Sequence, residues 1–154
     1  MFREMTRKER QMSPEAMLPY LNESQYGVLS VMGDNDYTYA VPLNFVYDNE
    51  KIYVHGLNHG HKVDALRANP KISFCIVDGA IAKPAEFTFA YTSIIIFGTA
   101  KQLDGDEKRA AIERVIRKYS VDHFEKGQKV IQAMWDKFAA FEITIDHITG
   151  KQCR

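Results

Sequence analysis

The stretch that decides the fold runs from Tyr37 to Pro70, YTYAVPLNFVYDNEKIYVHGLNHGHKVDALRANP. Tyr39, Val41, Leu43, Phe45 and Tyr47 alternate with smaller or polar residues, the period-two pattern of a strand with one buried face. Asp48-Asn49 carries turn chemistry, and Ile52 and Val54 resume the alternation, so the two runs pair as a hairpin. After His55-Gly56 the pattern breaks at Leu57-Asn58-His59-Gly60, and a helix opens at His61-Lys62. That helix stops before Pro70, because a residue preceding proline resists the helical region. A helix start behind a glycine presents free backbone N–H groups and the positive end of the helix dipole, which suits an anion. Lys62 adds a positive charge in the first turn, where helix stability alone favours an acid. A bound phosphate accounts for that mismatch, although a loop glycine followed by a surface lysine has the same spelling.

Upstream, residues 1–12 are charged and without apolar periodicity; they read as an N-terminal arm, either a solvated tail or a source of arginines (Arg3, Arg7, Arg10) for a phosphate or a partner subunit. Residues 13–154 then form a single domain. Ser13-Pro14-Glu15 is a helix start with an N-cap serine and proline at the first helical position. A short strand over Gly27–Met32 leads through the turn Gly33–Asp36 into the decisive stretch. Downstream, Ile72, Phe74 and Ile76 mark a strand, residues 78–86 a loop, and Phe87 to Leu103 a strand long enough to need a bend or bulge near Thr92-Ser93. Asp104 or Asp106 caps a helix striped by Ile112, Val115, Ile116 and Tyr119. A second helical segment from His123 to Phe138 is interrupted at Gly127, and Phe141, Ile143 and Ile145 lie on a closing strand. Six short strands with few helices predict a mainly β chain folded as a small antiparallel barrel with flanking helices.

Composition excludes more than it specifies. Twenty basic residues balance twenty acidic ones in 154, so no global field recruits nucleic acid or an anionic membrane. The longest apolar run, Ile94–Phe97, is far too short for a membrane-spanning helix, and the charged N-terminus lacks a signal-peptide core. Two cysteines, Cys75 and Cys153, make no disulfide framework, which points to a reduced cytoplasmic setting. No Ser-His-Asp order, CxxC or dinucleotide GxGxxG is present. His55, His59 and His61 raise a zinc reading, but no cysteine or carboxylate stands at zinc-motif spacing, so no metal is expected.

The ordered set VPLNFVY (41–47), IYVH (52–55), Gly60-His61-Lys62, Asn69-Pro70, the strand Tyr91–Gly98 and the ending Ile148-Thr149-Gly150-Lys151 resembles the FMN-binding split-barrel family related to pyridoxamine 5'-phosphate oxidase. The likeness is to the branch that includes the nitroimidazole-resistance proteins. It implies a six-stranded antiparallel split β-barrel and a flavin, FMN with FAD as the alternative. It places the phosphate on Gly60, His61 and Lys62, with Ser93 assisting, and the ring edge on the backbone of Ala40, Val41, Pro42, Leu43 and Asn44. Pro42 lacks a ladder donor and belongs at an edge or bulge, so that strand has exposed backbone groups. His55 and Gly56, at the end of the next strand, complete the cofactor set, and His55 is the residue expected to touch substrate; otherwise it is a barrel-rim histidine bonded to backbone. Trp135 either covers the isoalloxazine face or is a core residue, the commoner fate of a lone tryptophan on a helix.

The flavin carries the redox chemistry itself, so no catalytic motif is required of the chain. The implied activity is reduction of a small aromatic or nitro-aromatic compound with nicotinamide-derived electrons; a flavin store or sensor without turnover is the alternative. The interior of a small barrel is filled by side chains, which puts the ring system outside, where a homodimer supplies the second wall.

Overall fold

The computed structural model describes residues 1–154. The chain runs α1 (Pro14–Glu23), β1 (Tyr26–Met32), β2 (Thr38–Asn44), β3 (Val46–Asp48), β4 (Lys51–Leu57), α2 (His61–Ala68), β5 (Lys71–Lys83), β6 (Thr88–Gln102), α3 (Gly105–Tyr119), α4 (Phe124–Met134) and β7 (Phe138–Cys153). Short 3-10 turns lie at Lys8–Arg10, Asp34–Asp36, Pro84–Glu86, Val121–His123 and Trp135–Lys137. No helix is long and apolar enough to cross a membrane. Ser13 caps α1 as expected, its hydroxyl accepting from Ala16 N–H at 3.2 Å, and Asp104 caps α3.

All strands join one antiparallel sheet in the order β2-β1-β5-β6-β7-β4-β3. The expected antiparallel β architecture with flanking helices is present, with seven strands rather than six. The extra one arises because the run Tyr37–Asp48 breaks at Phe45: β2 pairs with β1 and β3 pairs with β4. These are the two edges of the sheet, yet one residue separates them in sequence. The sheet must therefore curl on itself, joined covalently at Phe45 and not closed by a hydrogen-bonded ladder.

Side chains replace the missing ladder at that seam. The Tyr119 hydroxyl donates to Phe45 O at 2.6 Å and accepts from Phe45 N–H at 3.4 Å. Lys118 Nζ donates to Phe45 O at 3.1 Å and to Ser24 O at 2.6 Å, and stands 4.3 Å from the Phe45 ring centre. The Phe45 ring is 0% exposed and meets Phe74 edge-on at 5.1 Å.

β4 separates two cores. Ile52 and Val54 face the barrel interior with Leu29, Phe74, Ile94, Ile96 and Ile143. Tyr53 faces outward into a second cluster under α3 and α4, with Val46, Ile112, Ile116 and Ile131. Alternation along a strand puts successive side chains on opposite faces, so one strand supplies both.

Two expectations need correction and one is met in a neighbouring strand. The expected loop 78–86 is mostly strand: β5 continues to Lys83, taking up Gly79 (φ 60°) in a bulge between Asp78 and Ile81, and only Pro84–Glu86 turns. The bend or bulge expected near Thr92-Ser93 is present as that same bulge, carried by β5 opposite Tyr91. A second register shift falls at Phe97/Gly98, where β7 has one extra residue, Asp146. Gly98 is needed there, because a Cβ would stand 2.6 Å from Ile143 Cγ2 and 2.7 Å from Thr144 O. Finally, α4 runs unbroken through Gly127, where a Cβ would meet Ile116 Cδ1 at 2.6 Å; this glycine serves close approach of α4 to α3 and does not break the helix.

Candidate functional site

The mouth of the barrel is built by the end of β4, the loop Asn58–Gly60 and the start of α2. The loop is pinned to the turn before β7: Asn58 N–H donates to Lys137 O at 3.1 Å and the Asn58 amide donates to Asp136 O. Gly60 has φ 108° and ψ 169°, a conformation essentially reserved for glycine, and its side-chain-free position leaves α2 without a capping side chain. The first-turn amides are thus free to meet an anion.

Lys62 rises from that turn and lies across Gly56. A Cβ on Gly56 would stand 2.6 Å from Lys62 Nζ, so glycine is what makes room for the ammonium. Lys62 is half-buried, and burial lowers its pKa with no acid contributing. It takes part in none of the ion pairs of the molecule.

His61 turns the other way. Its ring stacks on Tyr39 at 4.2 Å, and its Nε2 accepts from Asp34 N–H at 3.4 Å, tying α2 to β2 and the turn before it. β2 is an edge strand, so one row of its backbone groups has no ladder partner. Ala40, Pro42 and Asn44 face outward from it, and Val41 and Leu43 pack half-buried on the core. The Asn44 amide donates to Gln25 O at 2.9 Å.

His55 sits beside Ala140 of β7 on the opposite face of β4 from Gly56. It lines a cavity of about 570 Å³ with Ile112, Val115, Ile131, Met134 and Phe138. Its Nδ1 is buried without any partner in the protein. Burial first, and the Lys62 ammonium second, hold its pKa below the ordinary value, so the imidazole is neutral at pH 7. The backbone-bonded rim histidine weighed from the sequence is not what is seen. The three histidines do not converge: no group of three His, Cys, Asp or Glu side chains is placed to hold a metal.

Two of the expected site residues lie apart from this mouth. Trp135 packs in the second core, edge-on to Phe138 at 5.8 Å, with Lys108 Nζ 4.5 Å from its ring centre and donating to Trp135 O at 2.7 Å. The core reading of this tryptophan describes its place in one chain. Ser93 faces Lys151 across β6 and β7, whereas Gly56 faces Ala139 at the other end of β7. Twelve residues of strand separate those positions, of order 30–40 Å at about 3.3 Å per residue. One chain therefore does not bring Ser93 to Lys62. The clamp of Lys118 and Tyr119 on Phe45 was not read from the sequence, where both residues look like the ordinary end of an amphipathic helix.

Comparison with known proteins agrees with this architecture. The sequence profile of the family described as "Pyridoxamine 5'-phosphate oxidase" matches residues 13–152. No curated protein matches the chain significantly. Among solved structures, a candidate 5-nitroimidazole antibiotic resistance protein of Bacteroides thetaiotaomicron superposes with a TM-score of 0.76 at 18% identity, covering 92% of this chain and 85% of the other. A conserved hypothetical protein of Mycobacterium tuberculosis gives 0.80 at 18% identity, over 97% and 90%. A FAD-binding protein of Mesorhizobium loti gives 0.66 at 20% identity, over 94% and 98%. With a seam-joined antiparallel sheet and a profile match spanning nearly its whole length, this chain belongs to the pyridoxamine 5'-phosphate oxidase family of flavin-binding split-barrel proteins.

Proposed function

We propose that the protein is a flavin-dependent oxidoreductase that binds FMN, or alternatively FAD, and reduces a small aromatic or nitro-aromatic compound with nicotinamide-derived electrons. The observation that carries this reading is Lys62: a half-buried ammonium with no acidic partner, laid over a glycine at an uncapped helix start. Such a group fits a phosphate, with Lys62 as the point charge and the α2 amides as donors. The free backbone edge of β2, from Ala40 to Asn44, suits the polar rim of the isoalloxazine ring. Bound there, the flavin supplies the hydride and electron chemistry.

His55 is the residue we assign to substrate. A neutral imidazole at the wall of a mostly apolar cavity can hydrogen-bond a nitro or carbonyl oxygen without adding a charge of its own. The lining is mostly apolar, with Ser120, His123 and Lys126 among it, and suits flat, weakly polar molecules.

We further propose a homodimer with the flavin at its interface. Val77, Ile81, Phe87, Phe89 and Phe97 are exposed along β5, β6 and the turn between them, Phe87 at 97%. Apolar residues gathered on one hairpin mark an interaction surface. The two cysteines, both free, fit a reducing cytoplasm. Purified protein is expected to show flavin visible bands and to sediment as a dimer when flavin-loaded. NADH- or NADPH-driven bleaching reversed by a nitro-aromatic acceptor supports turnover; stable binding without bleaching would leave the store or sensor reading, and no flavin affinity at all would remove both.

A further inference from the structure

The cavity beside His55 has a polar end as well as an apolar body. Its long walls are the facing sides of two helices, with Ile112, Val115 and Ile116 from α3 and Val130, Ile131 and Met134 from α4. On α4 the lining recurs at Lys126, Val130 and Met134 and again at Gly127 and Ile131, the four-residue spacing of one helix face. From Lys126 to Met134 that face is about 12 Å long, room for an aromatic ring with a substituent at each end. Val130 and Met134 are exposed there, apolar surface of the kind a ligand covers. Met134 and Phe138 add the sulfur and ring contacts that suit an aromatic body.

The polar residues of the lining are of one sign. Lys126 carries a full positive charge, the His123 ring and the Ser120 hydroxyl supply donors, and no acid lines the cavity. Asp122 and Glu125, their neighbours in the chain, line a separate hollow and not this one. Lys126 also enters none of the ion pairs of the molecule, although it lies in the first turn of α4, where the helix dipole favours an acid. A cleft with low-dielectric walls and charge of a single sign concentrates ligands of the opposite sign.

We infer that this cavity takes an aromatic carboxylate, its ring between α3 and α4 and its carboxylate against Lys126, with His123 as second donor. One lysine without an arginine fork matches a monoanion better than a phosphate. Lys126 is then a residue that selects the substrate, while the buried, unpartnered Nδ1 of His55 is left for the substrate's other polar group. The inference rests on the assignment of His55 and its cavity to the substrate.

The test compares two probes of equal shape, 4-nitrobenzoate and the neutral 4-nitrobenzamide, by calorimetry on the full-length protein as purified. The benzoate is expected to bind about fivefold tighter, the value of an accessible charge pair, and to lose that advantage at high salt. Lys126→Gln should bring the two probes level without weakening the amide, and Lys126→Glu should reverse their order. Lys129→Gln, which removes a charge from α4 outside the cavity, should leave the preference intact. In turnover, Lys126→Gln should raise KM for the benzoate and leave kcat alone, the mark of lost ground-state binding. Equal affinities in the unmodified protein overturn the inference, as does no binding of either probe, or a preference that survives both Lys126 substitutions. Flavin bands with nitro reduction but no preference would sink this inference and keep the redox reading. A Lys126-dependent preference in a protein that binds no flavin would keep the ligand class and sink the redox reading.

Discussion

Lys62 and Lys118 make an instructive pair. Both are half-buried, burial lowers the pKa of each, and neither has a carboxylate partner. Lys118 nevertheless has its ammonium occupied: two backbone carbonyls accept from it, and the Phe45 and Tyr119 rings lie 4.3 and 5.2 Å away. Lys62 has no such company. Burying a cation costs free energy unless hydrogen bonds or charges offset it. At the seam the fold offsets the cost itself; at the mouth no group of the chain does so. Burial alone would class the two together, and the donor inventory tells them apart.

The largest effect expected of breaking the seam comes from its aromatic half. Phe45→Ala removes a wholly buried ring at the point where the two sheet edges join, and should cost about 3–5 kcal/mol in a urea unfolding series. A loss below about 1 kcal/mol would mean that the seam is not held by packing.

Lys62→Ala is the corresponding cut at the mouth, and its effect belongs to binding. FMN affinity, read from flavin fluorescence quenching, should fall ten- to a hundred-fold, about 1.5–3 kcal/mol. Unfolding free energy of the flavin-free protein should hold or rise, because an unpaired buried charge has been removed. Equal flavin affinity in wild type and variant would remove the central assignment.

Lys118→Gln should do the reverse. It strands the Ser24 carbonyl, leaves Phe45 O to the Tyr119 hydroxyl alone, and should lower stability by about 1–2 kcal/mol, with flavin affinity unchanged. A fall in flavin affinity matching that of Lys62→Ala would erase the distinction between the two lysines.

The smallest effect is one of pH. The Lys118 pKa is lowered from 10.5 to about 8, so between those values the unfolded chain holds a proton that the folded chain has released. Stability then rises with pH across that window, and the penalty is fully present below it. Urea midpoints at pH 7.5 and 9.5 should therefore move upward more in wild type than in Lys118→Gln; parallel shifts would show that the carbonyl contacts cancel the desolvation.

The sequence makes the mouth more legible than the seam, for physical reasons. Gly60-His61-Lys62 announces itself because a glycine and a cation at a helix start are each locally odd. Alternation through Tyr39–Tyr47 reveals which residues face inward, but it says nothing of which strand lies alongside, so the change of partner at Phe45 is invisible to it. Gly79 and Pro84 have the composition of a loop; the bulge that absorbs the first depends on pairing with β6, a non-local fact. Gly127 likewise looks like a helix break until Ile116 is seen against it. Ser93 and Lys62 were linked through the family resemblance, and nothing in their local sequence could show that a whole strand lies between them.

The strand order also bears on how the chain reaches this state. β7 lies between β6 and β4, and its pairing with β4 joins residues such as Lys51 and Thr144. The hairpins β1–β2, β3–β4 and β5–β6 are each local and can form early, but none of them closes the sheet. Closure waits for the last strand in the sequence, and it fixes a loop of some ninety residues at an entropic cost that grows only slowly with length. Search for so distant a pairing belongs to the millisecond-to-second range of non-local β topologies. Until then β4 and β6 both carry open edges, so a growing chain is at its most vulnerable to mispairing just before β7 arrives.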